Sequence, residues 1–103
     1  MKLLIQSALI AATVALSAPV MANTALAQKS GCLACHAVDK KVVGPAYQDV
    51  AKKYAGNMKA EELAKRIKSG GSGHWGPVPM PPQAALSEAD AKTLATWILG
   101  GAK

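Results

Sequence analysis

From Leu3 to Leu16 the chain is almost unbroken apolar sequence behind a single Lys2; beyond Ala22 it becomes amphipathic with helical spacing to its end. Asn23 or Thr24 is placed to cap a first helix that runs into the turn at Cys32 to His36, with Leu26 on the face a partner helix would cover. The stretch from Ala37 to Gly44 reads as loop, and Gly44-Pro45 ends it, because proline cannot continue an earlier helix but suits the start of a new one. Tyr47, Val50, Ala51 and Tyr54 then repeat at helical spacing and predict a second helix over about 46–54, stopped by Gly56-Asn57. A third helix over about 60–69 places Glu61 and Glu62 early and Lys65, Arg66 and Lys68 late, matching the helix dipole before Gly70-Gly71. Its buried stripe is Leu63, Ala64 and Ile67. Ser87 caps a last helix that ends near Leu99 and Gly100-Gly101, with Leu94, Ala95, Trp97 and Ile98 facing inward. The first and last helices are natural packing partners, and no strand pattern interrupts the series, so the fold class is all-α with about four helices.

The N-terminal texture has its own meaning. Lys2, the apolar run, and Ser17-Ala18-Pro19-Val20-Met21-Ala22 have the layout of a secretory signal peptide over residues 1–22. Gln6, Ser7, Thr13 and Pro19 interrupt the run, which makes it a poor membrane span. A second small-residue site follows Ala27, but a cut there would remove a turn of the first helix. Cleavage after Ala22 leaves one domain, residues 23–103, destined for the periplasm and without stable membrane insertion. So small a domain has a limited apolar core and needs a staple.

Losing Lys2 leaves 11 basic against 6 acidic side chains and lowers the formal charge from +6 to +5. The lysines are spread along the sequence rather than bunched, with no basic and aromatic stripe, which argues against nucleic acid. A positive field of this size suits acidic protein partners instead.

The chemistry concentrates at Cys32-Leu33-Ala34-Cys35-His36, which contains both cysteines of the chain. Two cysteines three residues apart, followed by histidine, have the spacing of a covalent haem c attachment site: each thiolate adds to one vinyl group, and the imidazole supplies an axial nitrogen. Three other uses of the cysteines fit less well. A redox dithiol belongs beside a βαβ pattern, absent here. A zinc site needs four ligands, and only His74 remains as a further nitrogen donor. A disulfide across so short a loop removes little chain entropy.

Between the third and fourth helices lies Gly70-Gly71-Ser72-Gly73-His74-Trp75-Gly76-Pro77-Val78-Pro79-Met80-Pro81-Pro82, neither helix nor strand. Pro79 and Pro81 hold Met80 extended between stiff neighbours, while the glycines let backbone approach a flat ligand. Methionine often only fills a core gap, as Met58 is expected to do at the start of the third helix. Beside a haem motif, Met80 is the expected second axial ligand, a soft neutral donor that favours ferrous iron.

Cys32 to His36, Val43-Gly44-Pro45-Ala46, Arg66-Ile67-Lys68 and Trp75 to Pro82 together resemble the small bacterial class I cytochromes c, the cytochrome c-551/c-552 type, over essentially all of residues 23–103. The resemblance implies an all-α fold wrapped around one haem c and an electron shuttle rather than an enzyme. Its partners would be an upstream cytochrome complex and a downstream nitrite reductase or terminal oxidase, met as a monomer. It also implies Cys32 and Cys35 as thioether anchors and His36 and Met80 as the iron's axial pair. The Pro45 carbonyl would accept the other imidazole proton, Arg66 and Trp75 would hold a haem propionate, and Trp97 would pack the last helix on the first. Two positions depart from the family pattern. His74 precedes the tryptophan where an apolar residue is usual, and is expected as an exposed residue able to compete for the iron. Gln83 stands where asparagine is common, its amide within reach of the methionine sulfur.

Overall fold

A computed structural model describes residues 19–103; most of the predicted export signal, residues 1–18, lies outside the described residues. Among the described residues four α-helices occur in the order α1 (Pro19–Lys29), α2 (Tyr47–Tyr54), α3 (Ala60–Ser69) and α4 (Glu88–Leu99), with a single 3-10 turn at Cys32–Ala34 between the first two. Among the described residues there is no strand beyond two isolated antiparallel bridges, His36 with Lys41 and Gly71 with Met80.

Three helix boundaries follow the local chemistry closely. Ala46 is the residue before α2, and Asp49 lies in that helix's first turn with Lys52 and Lys53 in its last. α3 carries Glu61 and Glu62 first and Arg66 and Lys68 last, then stops at Gly70. The Ser87 hydroxyl accepts from the Asp90 amide at 3.0 Å, the expected cap of α4.

α1 departs from expectation at both ends. The chain is already helical at Pro19, the first described residue, so Asn23 and Thr24 lie inside the helix rather than capping it. The boundary expected after Ala22 therefore falls inside this helix. Nor does α1 run into the cysteine turn: it ends at Lys29, and Gly31 at φ +81° reverses the chain into a separate 3-10 turn.

α4 is the central element, packed against α1, α2 and α3. Leu94 is 1 % exposed, and burying a side chain of this kind is worth about 1.5–3 kcal/mol. Around it lie Val50 and Tyr54 from α2, Leu63 and Ile67 from α3, and Ala27 from α1. Leu26 and Met58 pack against this core from its edge. Trp97 is buried too, but its ring meets Tyr47 of α2 edge-on at 5.5 Å, and its indole N–H donates to the Lys103 carbonyl at 3.2 Å. Part of this core, including Leu63, Ile67, Leu94 and Ile98, also lines a large opening.

Candidate functional site

That opening is a cavity of about 450 Å³. Leu63, Ile67, Leu94 and Ile98 give it an apolar floor, and it brings together all seven residues singled out from the sequence: Cys32, Cys35, His36, Pro45, Arg66, Trp75 and Met80.

The cysteine wall is built by backbone hydrogen bonds. The amides of Cys35 and His36 both donate to the Cys32 carbonyl, at 3.1 and 2.9 Å, closing the turn. The Cys35 carbonyl then accepts from Val43 and Gly44 at 3.1 and 2.7 Å, folding the following loop back onto it. Both thiols are free and half-buried. Burial pushes the Cys32 thiol up from its ordinary pKa, against the opposing hydrogen bond from Tyr47. A nucleophilic dithiol needs the reverse shift. Among the described residues no three His, Cys, Asp or Glu side chains gather as a metal-binding group, so His74 does not complete a zinc site with the cysteines.

His36 is fixed from three sides. Its Nδ1 lies 2.8 Å from the Pro45 carbonyl, which can only accept, so Nδ1 carries the proton and Nε2 keeps its lone pair. The ring stacks on Tyr47 with centroids 5.0 Å apart and planes 19° from parallel. Gly44 supplies the third contact: a Cβ there would lie 2.5 Å from the imidazole Cε1, so only glycine lets this loop close over the ring. Burial raises the Tyr47 phenol far above its usual range and keeps it neutral.

The opposite wall is the loop after α3. Gly71 and Met80 exchange both backbone hydrogen bonds, at 3.0 and 2.7 Å, so Met80 is extended as its flanking prolines require. Gly70, at φ +67°, has no space for a Cβ, which would run into the Met80 carbonyl. Met80 is half-buried and touches the core, while residues 71–79 are exposed. The Gln83 amide donates to the Pro81 carbonyl at 3.1 Å, and its backbone N–H donates to Lys68, so the side chain braces the proline segment.

Arg66 and Trp75 enter the cavity rim through contacts that periodicity does not reveal. Arg66 donates to the Tyr54 hydroxyl at 3.3 Å and pairs with Glu62 at 3.7 Å, leaving further guanidinium donors for another acceptor. Trp75, 41 % exposed, meets the Tyr54 ring edge-on at 6.1 Å, and Lys53 sits 4.5 Å above its face. Tyr47, Lys53 and Tyr54 are thus part of the site's construction, although their spacing marks them only as two core residues and a solvated lysine. The one available signal is that a buried tyrosine needs a partner for its hydroxyl.

Two thiols, an imidazole with a free Nε2, a thioether and an apolar floor in one cavity are the donor set of a c-type haem protein. The family model for cytochrome c matches residues 21–102. The chain is 55 % identical to cytochrome c-551 of Allochromatium vinosum over 87 % of its own length and 95 % of that protein's. It is 56 % identical to cytochrome c-552 of Hydrogenobacter thermophilus, over 88 % and 93 % of the two chains. The crystal structure of Nitrosomonas europaea cytochrome c552 superposes with a TM-score of 0.72 at 55 % identity, covering 75 % of this chain and 96 % of that one. The protein belongs to the cytochrome c family, with its small all-α class I fold and covalently bound haem c.

Proposed function

We propose that this cytochrome c carries single electrons between redox proteins of the periplasm, with His36 and Met80 as the two axial ligands of its iron. When bound, haem c supplies an iron that alternates between the ferrous and ferric states. Cys32 and Cys35 hold it to the chain through thioethers, so it cannot be lost by diffusion after export under the signal of residues 1–22. The Pro45 carbonyl keeps the proton on Nδ1 of His36 and so directs Nε2 to the metal and raises its basicity. Met80 lines the facing wall, and the Gly71 bridge ties it to the start of the loop. Arg66 and Trp75 line the rim where a propionate would meet guanidinium and indole donors.

The observation that carries this reading is the convergence on one cavity of His36, with Nε2 free, and Met80 on its braced loop. With both positions filled, no open site is left for a substrate, which favours a shuttle over an enzyme or gas sensor. The partners that fit are an upstream cytochrome complex and a downstream nitrite reductase or terminal oxidase, met by a monomeric, basic protein. Carbon monoxide added to the reduced protein tests the closed site. We expect no change in the visible spectrum of the unmodified protein and binding by Met80→Ala; rapid binding by the unmodified protein would overturn the proposal.

A further inference from the structure

Residues 71–80 form a wall, exposed up to Pro79, with very few ties. Within it, Gly71 pairs with Met80, and the Gly73 amide donates to the Gly76 carbonyl at 3.0 Å. Among the described residues a single hydrogen bond joins this segment to the rest of the protein: Lys53 Nζ, at the C-terminal end of α2, donates to the His74 carbonyl at 2.9 Å. The same ammonium lies 4.5 Å over the Trp75 ring and 5.4 Å from the Tyr54 ring centroid, and Trp75 and Tyr54 meet edge to face. Arg66 completes the stack from α3 through the Tyr54 hydroxyl. Charge-assisted hydrogen bonding and a cation over an indole face each stabilise a contact of this kind, even at an exposed site.

We propose that Lys53 is a positioning residue, a latch that holds the methionine loop closed on α2 and thereby keeps Met80 in place against competing ligands. This rests on Met80 being an axial ligand. The latch grips the carbonyl of His74, a second imidazole that lines the same cavity. Its release both loosens the segment that presents Met80 and frees His74 to act as an internal competitor. Lys53→Met removes the ammonium and keeps the length of the stem, whereas Lys53→Arg keeps a cationic donor that can also stack on indole.

The test titrates the ferric holoprotein with imidazole and follows the loss of the thioether-iron charge-transfer band. The unmodified protein and Met80→Ala come first: a band in the former that is missing from the latter establishes Met80 as ligand. Its absence from the unmodified protein would remove the ligation reading and the latch with it. With the band established, we expect Lys53→Met to bind imidazole roughly three- to tenfold more tightly, the effect of losing an exposed charge-assisted contact. Lys53→Arg should restore most of the difference. In Lys53→Met the band should also disappear at lower pH than in the unmodified protein, and His74→Ala in that background should move the transition back up. Imidazole affinities of Lys53→Met and the unmodified protein equal within about 1.5-fold would overturn the latch while leaving Met80 ligation standing, because less than ~0.3 kcal/mol would then separate the closed loops.

Discussion

Gly44 leaves no room for a side chain because the imidazole of His36 occupies the space its Cβ would take. Gly44→Ala should displace the ring from the Pro45 carbonyl and cost about 1–3 kcal/mol of stability, the usual penalty of overpacking. Thermal unfolding of the holoprotein checks the cost, and the histidine proton shifts check the ring's displacement. Gly100→Ala is the matched control: its φ is −80° and its nearest neighbour, the Thr96 carbonyl oxygen, would lie 3.4 Å from the new Cβ. Its stability should stay within about 1 kcal/mol of the unmodified protein, since the backbone there suits alanine. At this scale the sequence is legible where chemistry is local. Two cysteines and a histidine in five residues declare their use, and two prolines around Met80 declare its conformation. Lys53 is not legible, because its partner lies 21 residues away across a turn, a helix and a loop, and helical spacing marks it only as exposed. Tyr47 shows the same limit: its period places it inside but says nothing of the imidazole on which it stacks.

Among the elements, α3 and α4 follow their sequence most closely because each carries its own start and stop. Ser87→Ala should cost about 1 kcal/mol, the ordinary worth of a serine N-cap, measured by denaturant unfolding. Glu61 in the first turn of α3 is held below the usual carboxylate range by its own backbone amide and by Lys92 of α4, 3.2 Å away. A carboxyl whose native pKa is depressed stabilises the fold above its unfolded pKa, and that contribution fades as pH falls through the native value. Glu61→Gln should therefore be slightly less stable than the unmodified protein at neutral pH, with the gap closing on acidification below the ordinary carboxylate range. A gap that stayed constant with pH would mean that the charge of Glu61 contributes nothing. α1 is the element its sequence describes least well. Asn23 and Thr24 have the chemistry of caps, yet both lie inside a helix already formed at Pro19, and a glycine of ordinary appearance at position 31 adopts the left-handed turn that separates it from the cysteines. The residue type permits that turn, but only the fold demands it.

For the molecule as a whole, the helices bring core residues such as Leu63, Ile67, Leu94 and Ile98 to the floor of a cavity suited to a planar apolar group, so the haem completes the fold as well as serving as its redox centre. The core alone is small, and cleavage after Ala22, which removes Lys2, would leave a formal charge of +5. If that field guides docking, the second-order rate of electron transfer with an acidic partner should fall steadily as ionic strength rises through the range where exposed charges are screened. A rate indifferent to salt would leave the apolar rim, including Val43 and Val78, as the determinant of encounter. Helix order and the two segments that carry the cysteines with His36 and Met80 are readable from residue pattern, whereas the distance between those segments is a property of the assembled fold. The proposed electron carrier depends most on Met80 and His36 closing on one iron. The most direct measurement is the red-edge absorption of the oxidised holoprotein, compared with Met80→Ala. Ligation by Met80 predicts a thioether-iron charge-transfer band that the substitution abolishes; a band absent from the unmodified protein, or one that survives the loss of Met80, would contradict it.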